Sequence, residues 1–295
     1  MSIHPILLKQ LQKLESDAEF TVQSSRSNRI TSSTGKQYFA KIGLEHEEEQ
    51  YIGEAESLKH IAAAAPGLAP SVAASGLDGK KPYLITEYKD LTSLSNAAAG
   101  RLGKRLATEL HAYKGLDGFG FGVPTYCGAT RLQNGWFDRW DDCFSAMIGD
   151  LLTQLKKKGG FAALCAKGEK IRTDVIPVLL GPLIIQPVLL HGDLWSGNMG
   201  TEASSGEPII FDPPSFYGHN EADLAIARIF GGVPKTFFET YEQHHPKTDP
   251  IDQYELRGYL YELFHYLNHT LLFGGHYASS AETKMDILLQ AVAKL

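Results

Sequence analysis

Short segments in which apolar and polar side chains alternate dominate the first ninety residues, and this period-2 pattern is typical of half-buried strands. The predicted strands cover residues 19–25, 29–44 (a hairpin with its turn at Thr34-Gly35), 71–77 and 82–91. The stretch 47–65 is instead rich in strong helix formers and ends at Pro66-Gly67. The N-terminal part is therefore predicted to be an antiparallel sheet with one inserted helix, preceded by a short N-terminal helix.

Beyond residue 96 the apolar positions recur at helical spacing instead. Helices are predicted at 97–115, 136–158, 161–180 and over most of 221–295, with an irregular glycine-rich segment at 115–136 and a short strand within 208–216. These elements define an α+β class. The prediction is a bilobal fold, with a β-sheet N-lobe at 1–90 and a mainly helical C-lobe at 91–295, hinged near 87–95.

Composition and charge narrow the function classes. A chain of 295 residues with 43% hydrophobic side chains can bury the cores of two lobes. Its net charge of −6 argues against nucleic acid as the main partner. The longest apolar region, 175–190, is interrupted by prolines and too short for a membrane helix, and the N-terminus does not resemble a signal peptide. Cys127, Cys143 and Cys165 show no metal-like spacing and suit free thiols in a reducing compartment. We therefore expect a cytoplasmic protein without a membrane partner.

A loop after the apolar run carries closely spaced polar side chains. Within VLLHGDLWSGNMG (188–200), the order His-x-Asp-Leu-x-x-x-Asn matches the catalytic-loop pattern of kinases. A lysine in a predicted strand and a glutamate in a predicted helix precede this loop, and an aspartate follows the next apolar strand. Phosphoryl transfer requires these residue types in this order. The five candidates are Lys41, Glu54, Asp193, Asn198 and Asp212.

Each of these residue types suits one task in that chemistry. A lysine such as Lys41 can hold phosphate oxygens of ATP, and an acid such as Glu54 can fix its side chain. Mg²⁺ prefers oxygen ligands, which Asp212 and the amide oxygen of Asn198 would supply. Asp193 would accept the proton of the attacking hydroxyl group. We therefore predict a phosphotransferase that uses ATP and Mg²⁺, and we predict that its two lobes form a protein-kinase-like bilobal fold.

A plain structural explanation exists for each residue taken singly. Asp193 and Asn198 could be turn residues, Lys41 an exposed strand residue, and Glu54 part of the acidic stretch 45–56. Short motifs also arise by chance. All five in the required order, on the expected elements, favour the catalytic interpretation. A catalytically inactive nucleotide-binding scaffold stays open as an alternative.

Differences from protein kinases point to a small-molecule kinase. The loop has His-Gly-Asp in place of His-Arg-Asp, and no Ala-Pro-Glu segment is found in the sequence. The segments LHGDLWSGN (190–198), FDPPSFYGHNEADLAIARIFGG (211–232) and YLNHTLLFGGHY (266–277) resemble the fructosamine kinase (ketosamine 3-kinase) family, within the aminoglycoside/choline kinase-like phosphotransferases. The resemblance implies ATP-dependent phosphorylation at the 3-hydroxyl of a sugar–amine adduct. The phosphorylated adduct would be labile and would break down to free the amine.

The resemblance also implies roles for individual side chains. Asp193 would be the base, and Asn198 and Asp212 the Mg²⁺ ligands. The implied nucleotide contacts are Lys41, Glu54 and, through the hinge backbone, Glu87 and Tyr88. The implied substrate contacts are His191, Trp195 and His219. Trp195 would stack on the sugar, with core packing as the alternative; His219 would line the substrate or brace the next helix.

The affinity for ATP and the identity of the acceptor stay open at this point. The loop at 22–29 lacks the glycines that family members usually have there, so its backbone approaches phosphates less freely. ATP affinity is therefore expected to depend on the hydroxyl groups of Ser24, Ser25 and Ser27, with Arg26 or Arg29 supplying positive charge. The acceptor is expected to be a ketosamine, either free or on glycated protein lysines, with another small alcohol such as an aminoglycoside or choline as the alternative.

Overall fold

A five-stranded antiparallel sheet forms the N-terminal part of the protein. The computed structural model describes residues 2–22 and 28–295. Its strands lie in the order β1-β2-β3-β5-β4. Their bounds are Phe20–Val22 (β1), Arg29–Ser32 (β2), Gln37–Ile42 (β3), Val72–Asp78 (β4) and Lys81–Glu87 (β5). The predicted hairpin and the two later strands are thereby confirmed, and Gly35 occupies the turn with a positive φ of 91°.

Alternation along β3 separates a small core from the cleft. Tyr38 and Ala40 are buried against Leu11 of α1 (Pro5–Leu14) and Ile85 of β5. Because successive strand residues point to opposite faces, the neighbouring Lys41 is directed to the other side of the sheet. The hydrophobic pattern of one strand thus determines which face receives the charged side chain.

Helix α2 (Glu48–Ala64) follows β3, as predicted, and lies against β4 and β5. A Cβ on Gly53 would lie 2.3 Å from the carbonyl oxygen of Pro124, so only glycine permits this close approach. Ser57 Oγ accepts a hydrogen bond of 3.0 Å from the backbone N–H of Ser215. These contacts fix α2, and with it Glu54, against two segments of the C-terminal part.

The C-terminal part is mainly helical and contains the larger core. Its helices are Asn96–Arg105 (α3), Trp140–Lys158 (α4), Ala162–Lys170 (α5), Ile176–Leu179 (α6), Asn220–Ile229 (α7), Lys235–His244 (α8), Tyr254–Phe273 (α9) and Tyr277–Val292 (α10). Helix α9 packs against α4, α7 and α10, and most of its side chains are buried. Among the described residues, no helix is both long and apolar enough to cross a membrane.

Short strands hold the motif loop. Strands β9 (Val188–Leu190) and β12 (Phe216–Gly218) pair with each other, and β10 (Met199–Glu202) pairs with β11 (Pro208–Ile210) and with β6 (Leu91–Thr92). The loop at 191–198 therefore connects two small sheets, and Asp212 follows the end of β11.

Some boundaries differ from those predicted. The helix predicted at 97–115 ends earlier, in a wide turn at Leu106–Leu110, and α4 starts at Trp140. The glycine-rich segment contains a small hairpin, Tyr126–Cys127 (β7) and Thr130–Arg131 (β8), because two-residue strands are too short to show periodicity. The lobe boundary at residue 90 stays a prediction.

Candidate active site

The motif loop is held by its own hydrogen bonds. Asn198 Nδ2 donates to the carbonyl oxygen of Asp193 at 2.9 Å and to its Oδ2 at 3.0 Å. The backbone N–H of Asn198 also donates to the carbonyl of Trp195 at 2.9 Å. Because the amide nitrogen of Asn198 faces Asp193, its amide oxygen is left for another partner.

Asp223 on α7 holds the start of the motif loop in place by accepting hydrogen bonds from its backbone. Its Oδ2 accepts from the N–H of His191 at 2.7 Å, and its Oδ1 accepts from the N–H of Gly192 at 2.8 Å. His111 Nε2 lies 3.2 Å from the same carboxylate. Burial raises the pKa of Asp223, but the hydrogen bond and charge of His111 outweigh it and hold that pKa below its usual value. The carboxylate is therefore ionised and pulls the loop towards α7.

Asp223→Asn is expected to destabilise the protein by roughly 1–3 kcal/mol, because an amide nitrogen would face a backbone N–H and leave a buried donor unsatisfied. Urea unfolding measures this loss, and turnover should fall with it because the loop shifts. Glu255→Gln serves as the matched control, since Glu255 is also a first-turn helix acid but is exposed. Equal stability of the two variants would contradict the bracing role.

Lys41 and Glu54 form an ion pair across the cleft wall. Lys41 Nζ lies 2.6 Å from Glu54 Oε2, and both side chains are largely covered. Burial raises the pKa of Glu54, Lys41 opposes that shift, and the nearby Asp212 adds to it. The predicted lysine–glutamate contact is thus present in the structure.

Asp212 occupies an unusual backbone conformation. Its φ of 52° is the only positive value of a non-glycine residue in the described part of the chain. This conformation turns the chain sharply after β11 and brings the carboxylate towards Glu54 and Asp193. Such strained positions persist where the surroundings fix them, and they are common at functional sites.

The donor set at this point suits Mg²⁺. Asp212 and Asn198 line one cavity of about 270 Å³ and offer hard oxygen atoms, and the repulsion between Asp212 and Glu54 would be relieved by a cation. Asp193, Lys41 and Glu54 line the same cavity. The five predicted residues therefore converge on one cleft.

Burial raises the pKa of Asp193 to about 7, with smaller contributions from Asp223 and Asp212. The hydrogen bond from Asn198 opposes this shift. A carboxylate with a pKa near neutrality is a stronger proton acceptor than an exposed one. Asp193 thus has the chemical character of a general base.

A second cavity of about 360 Å³ adjoins the first, and Glu54 and Asp212 line both. Phe39, Leu58 and the hinge residues Glu87 and Tyr88 also line it. Its size and largely apolar wall suit a flat aromatic ring such as adenine.

The hinge places a limit on the predicted adenine contacts. The N–H of Glu87 donates to Ser71, and that of Tyr88 donates to Gln37, both within the sheet. Of the backbone groups of these two residues, only the carbonyl oxygens are therefore left for a nucleotide, and that of Glu87 also accepts from Thr86 Oγ1 at 3.2 Å. Ser24 and Ser25, the predicted phosphate contacts, lie outside the described residues.

The predicted substrate residues divide into two groups. Trp195 is 39% exposed and lines the cavity beside Asp193, so the core-packing alternative is wrong. His191 and His219 are fully buried, which corrects the prediction that they contact substrate. His191 Nε2 donates to the carbonyl of Phe211 at 3.0 Å, and His219 bonds Tyr261 and Thr248.

Other residues at the cavity lacked a sequence signal. Gln50, Tyr126 and Gly128 line the same cavity as Asp193. The polar side chains among them are of types common on surfaces, and no spacing links them to the motif loop. Asp223 belongs to the segment 211–232 that resembles the family, but its position in the first turn of α7 is equally explained by favourable interaction with the helix N-terminus.

This arrangement of sheet, helix and loop recurs in a solved phosphotransferase. The chain resembles the aminoglycoside phosphotransferase APH(4)-Ia, crystallised with AMP-PNP and hygromycin B, with a TM-score of 0.63 and 18% identity over 97% of this chain and 99% of the other. At that identity the likeness concerns the fold. Fold and relatives together define the class: a protein-kinase-like phosphotransferase.

Sequence relatives define the group within that class. Residues 7–291 match the fructosamine kinase family, and the protein belongs to it. Mouse ketosamine-3-kinase is 39% identical over 69% of this chain and 71% of its own, and an Arabidopsis thaliana protein-ribulosamine 3-kinase, chloroplastic, is 37% identical over 70% and 62%. A Thermobifida fusca structure that carries a fructosamine-3-kinase name has a TM-score of 0.83 at 23% identity, covering 98% and 100%.

Proposed function

We propose that this protein transfers the γ-phosphoryl group of ATP to the 3-hydroxyl of a ketosamine, with Mg²⁺ bound at Asn198 and Asp212. The observation that carries the proposal is the convergence of a lysine–glutamate pair, a raised-pKa aspartate and two oxygen donors on one cleft. Membership in the fructosamine kinase family supports the ketosamine as acceptor.

The nucleotide side of the cleft binds and orients ATP. The apolar cavity by the hinge takes the adenine ring, and the carbonyl oxygen of Glu87 accepts from its amino group. Lys41, held by Glu54 at 2.6 Å, reaches the phosphate oxygens as a charged donor. Bound Mg²⁺ supplies electrostatic neutralisation of the phosphates.

The acceptor side performs the proton transfer. Asp193 accepts the proton of the 3-hydroxyl as the bond from that oxygen to the γ-phosphorus forms and the bond to the ADP oxygen breaks. Asn198 keeps the Asp193 carboxylate oriented through its 3.0 Å hydrogen bond. Positioning of hydroxyl and base within one cleft accounts for much of the rate enhancement.

Trp195 provides the recognition surface for the sugar. Its exposed ring lines the cavity near Asp193, so one apolar face of a sugar can stack on it. The cleft is open to solvent, which allows the amine to belong to a lysine of another protein. The ketosamine 3-phosphate is labile, so phosphorylation promotes deglycation of the amine. We also propose that the reaction takes place in the cytoplasm.

A panel of acceptors tests the proposal. The protein is incubated with Mg-ATP and with ribulose-lysine, fructose-lysine, choline or kanamycin, and ADP release is followed. Release with the ketosamines alone supports the proposal. Release with choline or kanamycin instead would identify a different small-alcohol kinase, and no release with any acceptor would identify a nucleotide-binding scaffold.

Lys41→Met is expected to lower kcat/KM for ATP by roughly 10²–10³-fold, because the phosphates lose a charged donor aimed at them. Steady-state kinetics over a range of ATP concentrations measures the change. Lys59→Met is the matched control, since Lys59 on α2 also pairs with a glutamate, Glu56, but is exposed. Unchanged ATP kinetics in Lys41→Met would contradict the assignment.

A further inference from the structure

Three side chains with metal-binding chemistry meet on the inner side of the motif loop. Cys127 of β7, Asp193 of the loop and His265 of α9 each offer a ligand atom, and these atoms lie within 4.8 Å of one another. The three residues come from separate segments, so their spacing in the sequence gave no indication of the cluster. Sulfur, oxygen and imidazole nitrogen together are a donor set typical of zinc.

His265 independently indicates that this position can take a ligand. It is only 4% exposed, and its Nδ1 is buried without a hydrogen-bond partner among the described residues. Buried polar atoms are nearly always hydrogen-bonded, so an unsatisfied one requires an explanation. A neutral imidazole has a lone pair that can bind a metal ion.

The backbone around Cys127 is held in place. Asn268 of α9 donates from Nδ2 to the carbonyl of Cys127 at 3.2 Å, and Thr130 donates to Asn268 Oδ1 at 2.6 Å. These bonds tie β7 to α9, which also carries His265. The thiol is fully covered, and it forms no disulfide. The cluster is therefore largely preformed.

We propose that Cys127, Asp193 and His265 form a binding site for Zn²⁺, and that zinc bound there inhibits the kinase. One thiolate, one carboxylate and a neutral imidazole balance the charge of a divalent ion, with the thiol proton released to solvent. Zinc ligands lie about 2.0–2.3 Å from the ion, so side-chain movements on the order of 1 Å close the cluster, and water takes the fourth position.

The site distinguishes zinc from the catalytic ion. Mg²⁺ binds oxygen ligands in near-octahedral geometry, which Asn198 and Asp212 offer and a thiol does not. Zinc would draw the Asp193 carboxylate into coordination and prevent it from accepting the hydroxyl proton. Inhibition therefore rests on the proposed function, whereas zinc binding itself does not.

Binding is tested with Co²⁺ as a spectroscopic substitute for Zn²⁺ in the full-length protein. We expect one ion per chain, a thiolate-to-cobalt absorption band, and displacement of the band by Zn²⁺. The band should disappear in Cys127→Ala and weaken in His265→Leu, yet persist in Cys143→Ala, which removes another buried thiol. A band that is missing from the unaltered protein, or that persists in Cys127→Ala, would overturn the site.

Inhibition is tested by titrating buffered free Zn²⁺ into the assay with Mg-ATP and ketosamine. We expect inhibition that a chelator reverses, with the half-inhibitory concentration raised roughly tenfold or more in Cys127→Ala and in His265→Leu. Equal inhibition of all variants would show an adventitious ion only. If no acceptor is phosphorylated even without zinc, the proposed function fails while the cobalt result still decides the metal site.

Discussion

Asp193→Asn is expected to lower kcat by roughly 10²–10⁴-fold, the usual contribution of a positioned general base. The amide has nearly the same shape as the carboxylate, and its oxygen can still accept from Asn198 Nδ2, which now bonds Asp193 at 3.0 Å. The loop should therefore keep its conformation while losing its proton acceptor. KM for ATP should change little, because the nucleotide is held on the other side of the cleft.

The measurement is steady-state turnover with ketosamine, combined with a direct binding assay for ATP. Asp252→Asn is the control, because it makes the same chemical change at an exposed residue. Turnover close to that of the unaltered protein would contradict the role of Asp193. Loss of ATP binding together with turnover would instead indicate a collapsed loop.

Asp212→Asn is expected to lower kcat/KM by roughly 10²–10³-fold, the typical effect of removing one preorganised electrostatic contact. Asparagine tolerates a positive φ better than most residues, so the φ of 52° can be retained. The substitution consequently removes the charge that holds Mg²⁺ without forcing the backbone to change.

The dependence of activity on Mg²⁺ concentration separates two contributions of Asp212, the charge of its carboxylate and its conformation in the turn. In Asp212→Asn the half-saturating Mg²⁺ concentration should rise, and excess Mg²⁺ should recover part of the activity. Asp212→Ala should be worse in both activity and thermal stability, because alanine also strains the turn. An unchanged Mg²⁺ dependence in Asp212→Asn would exclude Asp212 as a metal ligand.

The sequence was sufficient for the main outline of the site. Lys41 lies at the end of a strongly alternating strand and Glu54 in a stretch of strong helix formers, and both local patterns are visible without a tertiary structure. The motif loop and Asp212 could be located by spacing alone, because phosphoryl transfer requires these residue types in a fixed order. That shared chemistry predicts that the residues meet in one cleft, and the structure places all five along the same cavity.

Residues that act through burial were harder to assign. His191 and His219 stand in the recognised segments, yet both face the interior, and nothing in their neighbours along the chain distinguishes a covered imidazole from an exposed one. Similarly, stabilisation of its own helix is enough to explain an acid such as Asp223 in a first helical turn. Its real partners, the N–H groups of His191 and Gly192, are more than thirty positions away.

The amino-acid sequence by itself determined most of the element types and the five candidate residues that line one cleft, because both are encoded in local periodicity and in fixed spacing. Only the tertiary structure decided which side chains are covered, which carboxylate acquires a pKa of about 7, and which distant ligands meet. Burial and electrostatic shifts depend on atoms that surround a group in space. For Cys127, Asp193 and His265 those surroundings come from three separate parts of the chain.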